Sequence, residues 1–287
     1  MATPYSVHDP KGAAISAVVF DTPHSGTVLP GHFRFACTRQ DLMFLHDPHV
    51  EKLLEDAPSA GAAVLEALIH RTCIDLNRFE DEIDPAAIEG GWPHPPRRTF
   101  HVQQNLSLFP AFAGPRSNRI AAIYNESARL TTAEAERRIR DYHRPYFAAL
   151  GTLLHRAQAA HGLRIHLNVH SFNRPAGSTI DDIVLGNMND TTCAPQLSSM
   201  VRDFFKASGY SVGFNGVYFS GGSIIQTAGC PAQGGHSLQI EIARDLYMDQ
   251  ESLAFDPVKG RRGRDDLTRL AETLGRYAAT AGLSPKT

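Results

Sequence analysis

The sequence predicts an α/β protein, one domain over residues 1–287 with a mixed, mostly parallel sheet flanked by helices. Three observations predict it. Residues 16–21 (SAVVFD) are a short run apolar on both faces, as a strand covered on both sides of a sheet requires. Residues 163–171 (LRIHLNVHS) alternate without a break. Leu163, Ile165, Leu167 and Val169 take one face, and His166, Asn168 and His170 take the other. Strand-like and helix-like segments also alternate along the chain, with no repeat or low-complexity tract between them.

The elements follow in order. Within 40–57, Val50, Leu53, Leu54 and Ala57 share a helical face; Pro48 suits the first turn and Asp47 the cap before it. Residues 61–66 and 71–78 read as further strands. Six prolines fall in 84–118 (Pro85, Pro93, Pro95, Pro96, Pro110 and Pro115), with Gly90, Gly91 and Gly114. That composition predicts a long loop, and a loop of such length in a compact protein is ordinarily a lid or a binding segment. Thr131 and Glu134 fit a capping box. From Ile139 through Leu154 the apolar residues keep the helical period, with a kink or break expected at Pro145. A strand is expected at 182–186, a helix at 194–207, two strands at 221–229 and 236–244, and a last helix over 264–281.

Composition narrows the function. Hydrophobic residues are 42% and charged residues 20%, as in an ordinary soluble globule. A net charge of −2 with no basic run argues against nucleic acid as a partner. No apolar run is long enough to span a membrane, and the N-terminus does not read as a signal peptide. Four scattered cysteines, with no Cys-x-x-Cys pair, read as reduced thiols in a cytoplasmic protein. The oligomeric state leaves no mark on the sequence. Histidine is the anomaly, at 14 residues.

Sites in open α/β sheets lie beyond the carboxyl ends of the strands. His24 follows the first strand, His170 ends a central one, and Asp47 lies on a third segment. Two histidines and a carboxylate, with water in the fourth position, are a catalytic zinc pattern. Taken singly, a strand-end histidine is ordinarily a hydrogen-bonded structural group, and Asp47 an ordinary helix cap. Glu241 stands inside an apolar strand, where a carboxylate needs a partner, a metal or an opening. It is either the general base beside an activated water or the structural partner of Arg244. In the segment 75–78 (DLNR), Asn77 and Arg78 have the donors to grip a substrate carboxylate, and Asp75 can orient a metal ligand. Ser25 and Ser171 follow the two histidines, but neither sits in a Gly-x-Ser-x-Gly elbow.

Six segments in the same order resemble the N-formylglutamate amidohydrolase family: TPHSGTVLP (22–30), HDPHVEKL (46–53), IDLNR (74–78), YHRPYFAAL (142–150), NVHSF (168–172) and 221–249. The likeness runs over about residues 18–250. It implies a zinc-carboxypeptidase-like fold and a mononuclear zinc hydrolase acting on an N-acyl acidic amino acid, with N-formylglutamate the first choice. It puts His24, Asp47 and His170 at the metal, with His49 or Glu51 as alternatives to Asp47. Glu241 becomes the base, Asn77 and Arg78 the carboxylate site, and Arg144 or His49 a donor to the oxyanion. His49 and Asp75 would support the ligands. Asn168 stands where the family pattern has aspartate, and residues 85–118 match it poorly. The rival readings are another N-acyl amino acid deacylase, a carboxypeptidase-type enzyme, a metal-free serine hydrolase and a metal-free binder of acidic ligands.

Overall fold

The computed structural model describes residues 3–12, 15–31, 33–113, 121–125 and 129–281. In chain order the strands are β1 (Tyr5–His8), β2 (Val18–Thr22), β3 (Ala63–Ala67), β4 (Phe112–Ala113), β5 (Ala121–Ala122), β6 (Arg164–Phe172), β7 (Ile183–Gly186), β8 (Val212–Phe214) and β9 (Gly235–Ala243). The helices are α1 (Arg39–Met43), α2 (Val50–Leu53), α3 (Phe100–Gln103), α4 (Thr132–Arg138), α5 (Arg144–His161), α6 (Pro195–Ala207), α7 (Ser223–Ala228) and α8 (Pro257–Ala281). The chain divides into two compact units, each built from interleaved segments. One comprises Met1–Ser6, Pro23–Asp47 and Ala67–Ala148, the other Val7–Thr22, Pro48–Glu66 and Ala149–Thr287.

The sheet has the order β1-β3-β2-β6-β9-β7-β8, and its strands β2, β6, β7, β8 and β9 fall wholly within the second unit. β2 runs parallel to β3 and β6, and β6 parallel to β9; β7 is antiparallel to β9 and parallel to β8. This is the mixed, mostly parallel sheet that the sequence predicts. One face carries Phe20, Ile165, Leu167, Val169, Leu238 and Ile240 into a core completed by α6 and α8. Each such side chain contributes roughly 1.5–3 kcal/mol by leaving water. The alternate residues of the central strands form a second, polar row. The parallel register sets His166 beside Ser237, Asn168 beside Gln239 and His170 beside Glu241. Asp21 of β2 is the partner of Asn168 on the other side. Every member of this row is buried. Buried polar groups persist only when they hydrogen-bond to one another, so the row is a network rather than a core defect.

The first unit has little regular structure and is stapled by Arg138, which is 1% exposed. Its guanidinium donates to Cys73 O at 2.8 Å, Tyr124 Oη at 3.1 Å and Glu134 Oε1 at 2.9 Å, and it lies 3.8 Å from the centre of the Phe33 ring. Glu134 is therefore only half of a capping box. Thr131 Oγ1 accepts from Glu134 N, but the Glu134 carboxylate turns to Arg137 and Arg138. The break expected at Pro145 is a π-helical turn, Ile139–His143, between α4 and α5. The wider turn accommodates a proline that cannot donate to the helix ladder.

Four local expectations are corrected. The helix within 40–57 is split into α1, α2 and a 3₁₀ turn at Ala57–Ala60, and the cap of α2 is His49 rather than Asp47. His49 takes the left-handed conformation (φ 65°), which stops a continuous helix. Residues 71–78 are a buried loop instead of a strand, tied through Cys73 N to His70 O and Asp75 N to Leu108 O. Residues 221–229 hold the helix α7. Its buried Ile224 and Ile225 owe their place to packing, which overrides the β-preference of isoleucine. The last helix begins at Pro257, capped by Asp256, which accepts from Val258 N and Lys259 N. The proline-rich loop contains α3 and a 3₁₀ turn at Pro85–Ala87. Gly114 and Pro115 lie outside the described residues.

Candidate active site

His24 stands two residues past β2, in a turn that leads to Gly26. Only glycine fits there, because a Cβ would lie 2.3 Å from Ile69 O. His24 O accepts from Asp47 N at 2.8 Å, which pins the segment bearing Asp47 beside it. His24 Nε2 lies 2.7 Å from Asp75 Oδ1, and Nδ1 lies 3.5 Å from Asp47 Oδ2. An ionised carboxylate cannot donate, so Nε2 carries a proton, and in the neutral tautomer that leaves the lone pair at Nδ1. Asp75 is itself held by Arg71 and by Asn77 N at 2.9 Å. Burial alone would raise the Asp75 carboxyl. The charges of Arg71 and Arg78 and the hydrogen bond from His24 together outweigh it and hold the group well below the usual carboxylate range.

On β6, His170 Nε2 donates to Asn168 Oδ1 at 2.8 Å. The amide orientation follows from its other end, since Asn168 Nδ2 must donate to Asp21 Oδ1 at 2.7 Å. His170 Nδ1 is thereby the lone-pair nitrogen. Glu241, the register partner of His170, accepts from Gln239 Nε2 at 2.9 Å. Arg244, the alternative partner expected for Glu241, donates through Nε to Ser171 Oγ at 3.1 Å.

His24, Asp47 and His170 each offer one ligand atom, and the three atoms lie within 4.8 Å of one another. Two imidazole lone pairs and a carboxylate, each imidazole steadied through its far nitrogen, suit a divalent cation of the zinc class. Among the described residues, neither His49 nor Glu51 joins that group. His49 Nε2 bonds instead to Leu253 O at 2.9 Å. Burial raises the Glu51 carboxyl to about 7, and its Oε2 has no hydrogen-bond partner.

The sequence model of the N-formylglutamate amidohydrolase family matches residues 16–248. The chain belongs to this family. A crystal structure of N-formylglutamate amidohydrolase from Ralstonia eutropha JMP134 superposes with a TM-score of 0.88 at 33% identity, covering 98% of this chain and 100% of that one. N-formylglutamate deformylase of Pseudomonas putida is 28% identical over 211 residues, and that of Pseudomonas aeruginosa 27% over 213, covering 71% and 72% of each chain. A gene product of Agrobacterium tumefaciens, 15% identical with a TM-score of 0.65, shares the fold.

The other residues singled out from the family likeness are placed as follows. Arg78 is buried, with Nε on Leu106 O at 2.6 Å and one terminal nitrogen on Asn77 O at 2.7 Å. Asn77 is buried beside it. Arg144 is paired with Glu80 at the surface. Its side chain is 63% exposed and forks onto Glu80 through two 2.9 Å bonds. His49 is likewise turned to the Leu253 carbonyl. Ser25 Oγ donates to Ala67 O.

Sequence reasoning missed Arg71, Asp21 and His70. Arg71 carried a signal, because it stands four residues before Asp75. Asp21 becomes informative only once β2 is known to pair with β6. Burial first, and then the neighbouring charges of Arg71 and Arg39, hold the His70 imidazole well below its usual range.

The Glu80 pair gives a pH test. The His143 ring and the Arg144 fork pull the Glu80 carboxyl from 4.5 to about 2. Arg144 makes the closer contact, since His143 Nδ1 is 3.6 Å away. A carboxyl depressed on folding stabilises the native state above its unfolded value and loses that effect as pH falls through its folded one. The natural protein should therefore lose stability between about pH 4.5 and 2 more steeply than Glu80→Gln. Urea midpoints across that range check it, and parallel curves would remove the pair from the account.

Proposed function

We propose that this chain is a metal-dependent amidohydrolase that cleaves the amide bond of an N-acyl acidic amino acid, N-formylglutamate first, and that residues 1–287 act as one domain. The observation that carries the reading is the convergence of three ligand atoms from His24, Asp47 and His170 within 4.8 Å, with Glu241 the strand partner of His170. The names of the relatives supply the substrate. The four cysteines are free, which supports a reducing compartment such as the cytoplasm.

His24, Asp47 and His170 would hold one divalent ion, zinc by preference. Bound there, such an ion supplies Lewis acidity that makes a water acidic near pH 7. Glu241 takes a proton from the attacking water as its oxygen bonds to the formyl carbon. It returns that proton to the departing nitrogen as the C–N bond breaks, leaving formate and the free amino acid. Gln239 holds the Glu241 carboxylate in one orientation during both transfers. Asn77 and Arg78 hold the substrate carboxylate, with the Arg78 fork fixed in advance by the carbonyls of Leu106 and Asn77.

The assay is release of formate from N-formyl-L-glutamate, compared with its α-amide. The acid should be turned over and the amide should be poor. Arg78→Ala should raise KM for the acid by about 10- to 100-fold, since a charge-assisted hydrogen bond is worth roughly 1.5–3 kcal/mol. Arg78→Lys should recover only part, because an ammonium lacks the two-pronged geometry. Equal activity on acid and amide, in natural and altered protein alike, would take Arg78 out of the site.

A further inference from the structure

The two imidazoles of the proposed metal site are steadied in different ways. His24 donates directly to a carboxylate, Asp75. His170 donates to a neutral carboxamide, Asn168, which donates in turn to a carboxylate, Asp21. Asp21 and Asn168 are both 0% exposed. They are also Cα partners in the parallel register of β2 and β6, so the backbone fixes their contact. The same Asp21 Oδ1 accepts from His166 Nε2 at 2.9 Å, and His166 Nδ1 lies 2.7 Å from Ser237 Oγ. The carboxylate is thus locked at the far end of a chain that runs Asp21, Asn168, His170.

We propose that Asp21 is a positioning residue for His170, acting through Asn168. The inference rests on the reading of His24, Asp47 and His170 as a metal site. An amide alone is a weak acceptor that leaves no charge behind the ring. An amide bonded to a buried carboxylate is polarised, and in a dry interior hydrogen bonds in series strengthen one another. Asp21 fixes which end of the Asn168 amide faces His170, and so which ring nitrogen carries the proton. It also raises the electron density of that ring. Both effects bear on the lone pair at Nδ1, in the manner of the carboxylate behind His24.

The competing role for Asp21 is structural, as the buried partner of His166. Three variants separate the two. Asp21→Asn keeps the shape and an oxygen for both hydrogen bonds but removes the charge. Asn168→Asp puts two carboxylates in contact in a buried place and should lower stability. The double variant Asp21→Asn with Asn168→Asp moves the charge one step, onto the side chain that touches His170, while residue 21 stays uncharged beside His166. Zinc affinity is read by competition with a chromophoric chelator, and the ligand field by the visible spectrum of the cobalt(II) form. Thermal midpoints serve as the control for folding. Asp21→Asn should weaken zinc binding by about 10-fold, the lower end of the range for groups behind a ligand, and shift the cobalt bands. The double variant should return both to the natural values or beyond. Unchanged affinity and spectrum in Asp21→Asn, or a double variant no better than that single one, would overturn the relay while leaving the metal site standing. A natural protein that binds neither zinc nor cobalt would overturn the metal reading, and the relay with it.

Discussion

Glu241→Gln should fold, hold its metal and lose about 10²- to 10⁴-fold in kcat, the usual cost of removing a general base. The substitution preserves the side-chain shape and its bond to Gln239. Glu241 Oε1 already accepts from Gln239 Nε2, and the amide oxygen of a glutamine can accept the same bond. The residue is 8% exposed and stands on a nine-residue strand paired on both edges, so the backbone has no reason to move. What disappears is the basic oxygen. The checks are circular dichroism, metal content and the rate of formate release on one preparation. A natural rate in the variant would leave Glu241 with a structural role only.

His170→Ala should lose the ion and with it at least about 10³-fold in activity. The stabilisation a metal gives to developing charge is several kcal/mol, and each 1.36 kcal/mol is tenfold in rate. The same experiment decides the third ligand. Asp47→Ala should lose the ion, whereas His49→Ala and Glu51→Ala should keep it, because among the described residues Asp47, and neither His49 nor Glu51, joins the two histidines within 4.8 Å. Metal analysis after gel filtration reads all four variants. Retention of a full equivalent in Asp47→Ala, with loss in Glu51→Ala, would exchange their roles.

Much of the fold was legible where a pattern is local. β6 and β9 announce themselves through strict alternation, and the polar row on one face could be read as two separate sets, His166–Asn168–His170 and Ser237–Gln239–Glu241. Their pairing could not, because register belongs to two strands that lie some seventy residues apart. Asp21 shows the same limit. In sequence it is the polar end of an apolar strand, and it becomes part of a network only beside Asn168. Residues 71–78 and 221–229 were misread because β-branched or apolar residues in a short run do not say whether they pair or merely pack. Arg144 and Arg78 are equally charged in the sequence. Burial distinguishes them, one at the surface on Glu80 and the other enclosed among carbonyls.

The central claim is that hydrolysis depends on one divalent ion at His24, Asp47 and His170. The most direct measurement is the rate of formate release from N-formyl-L-glutamate by natural protein dialysed against a chelator, then titrated with zinc while bound metal is counted. The account predicts one ion per chain, loss of activity in the metal-free protein and recovery that saturates at one equivalent. Hydrolysis at the full rate by protein shown to contain no metal would contradict it.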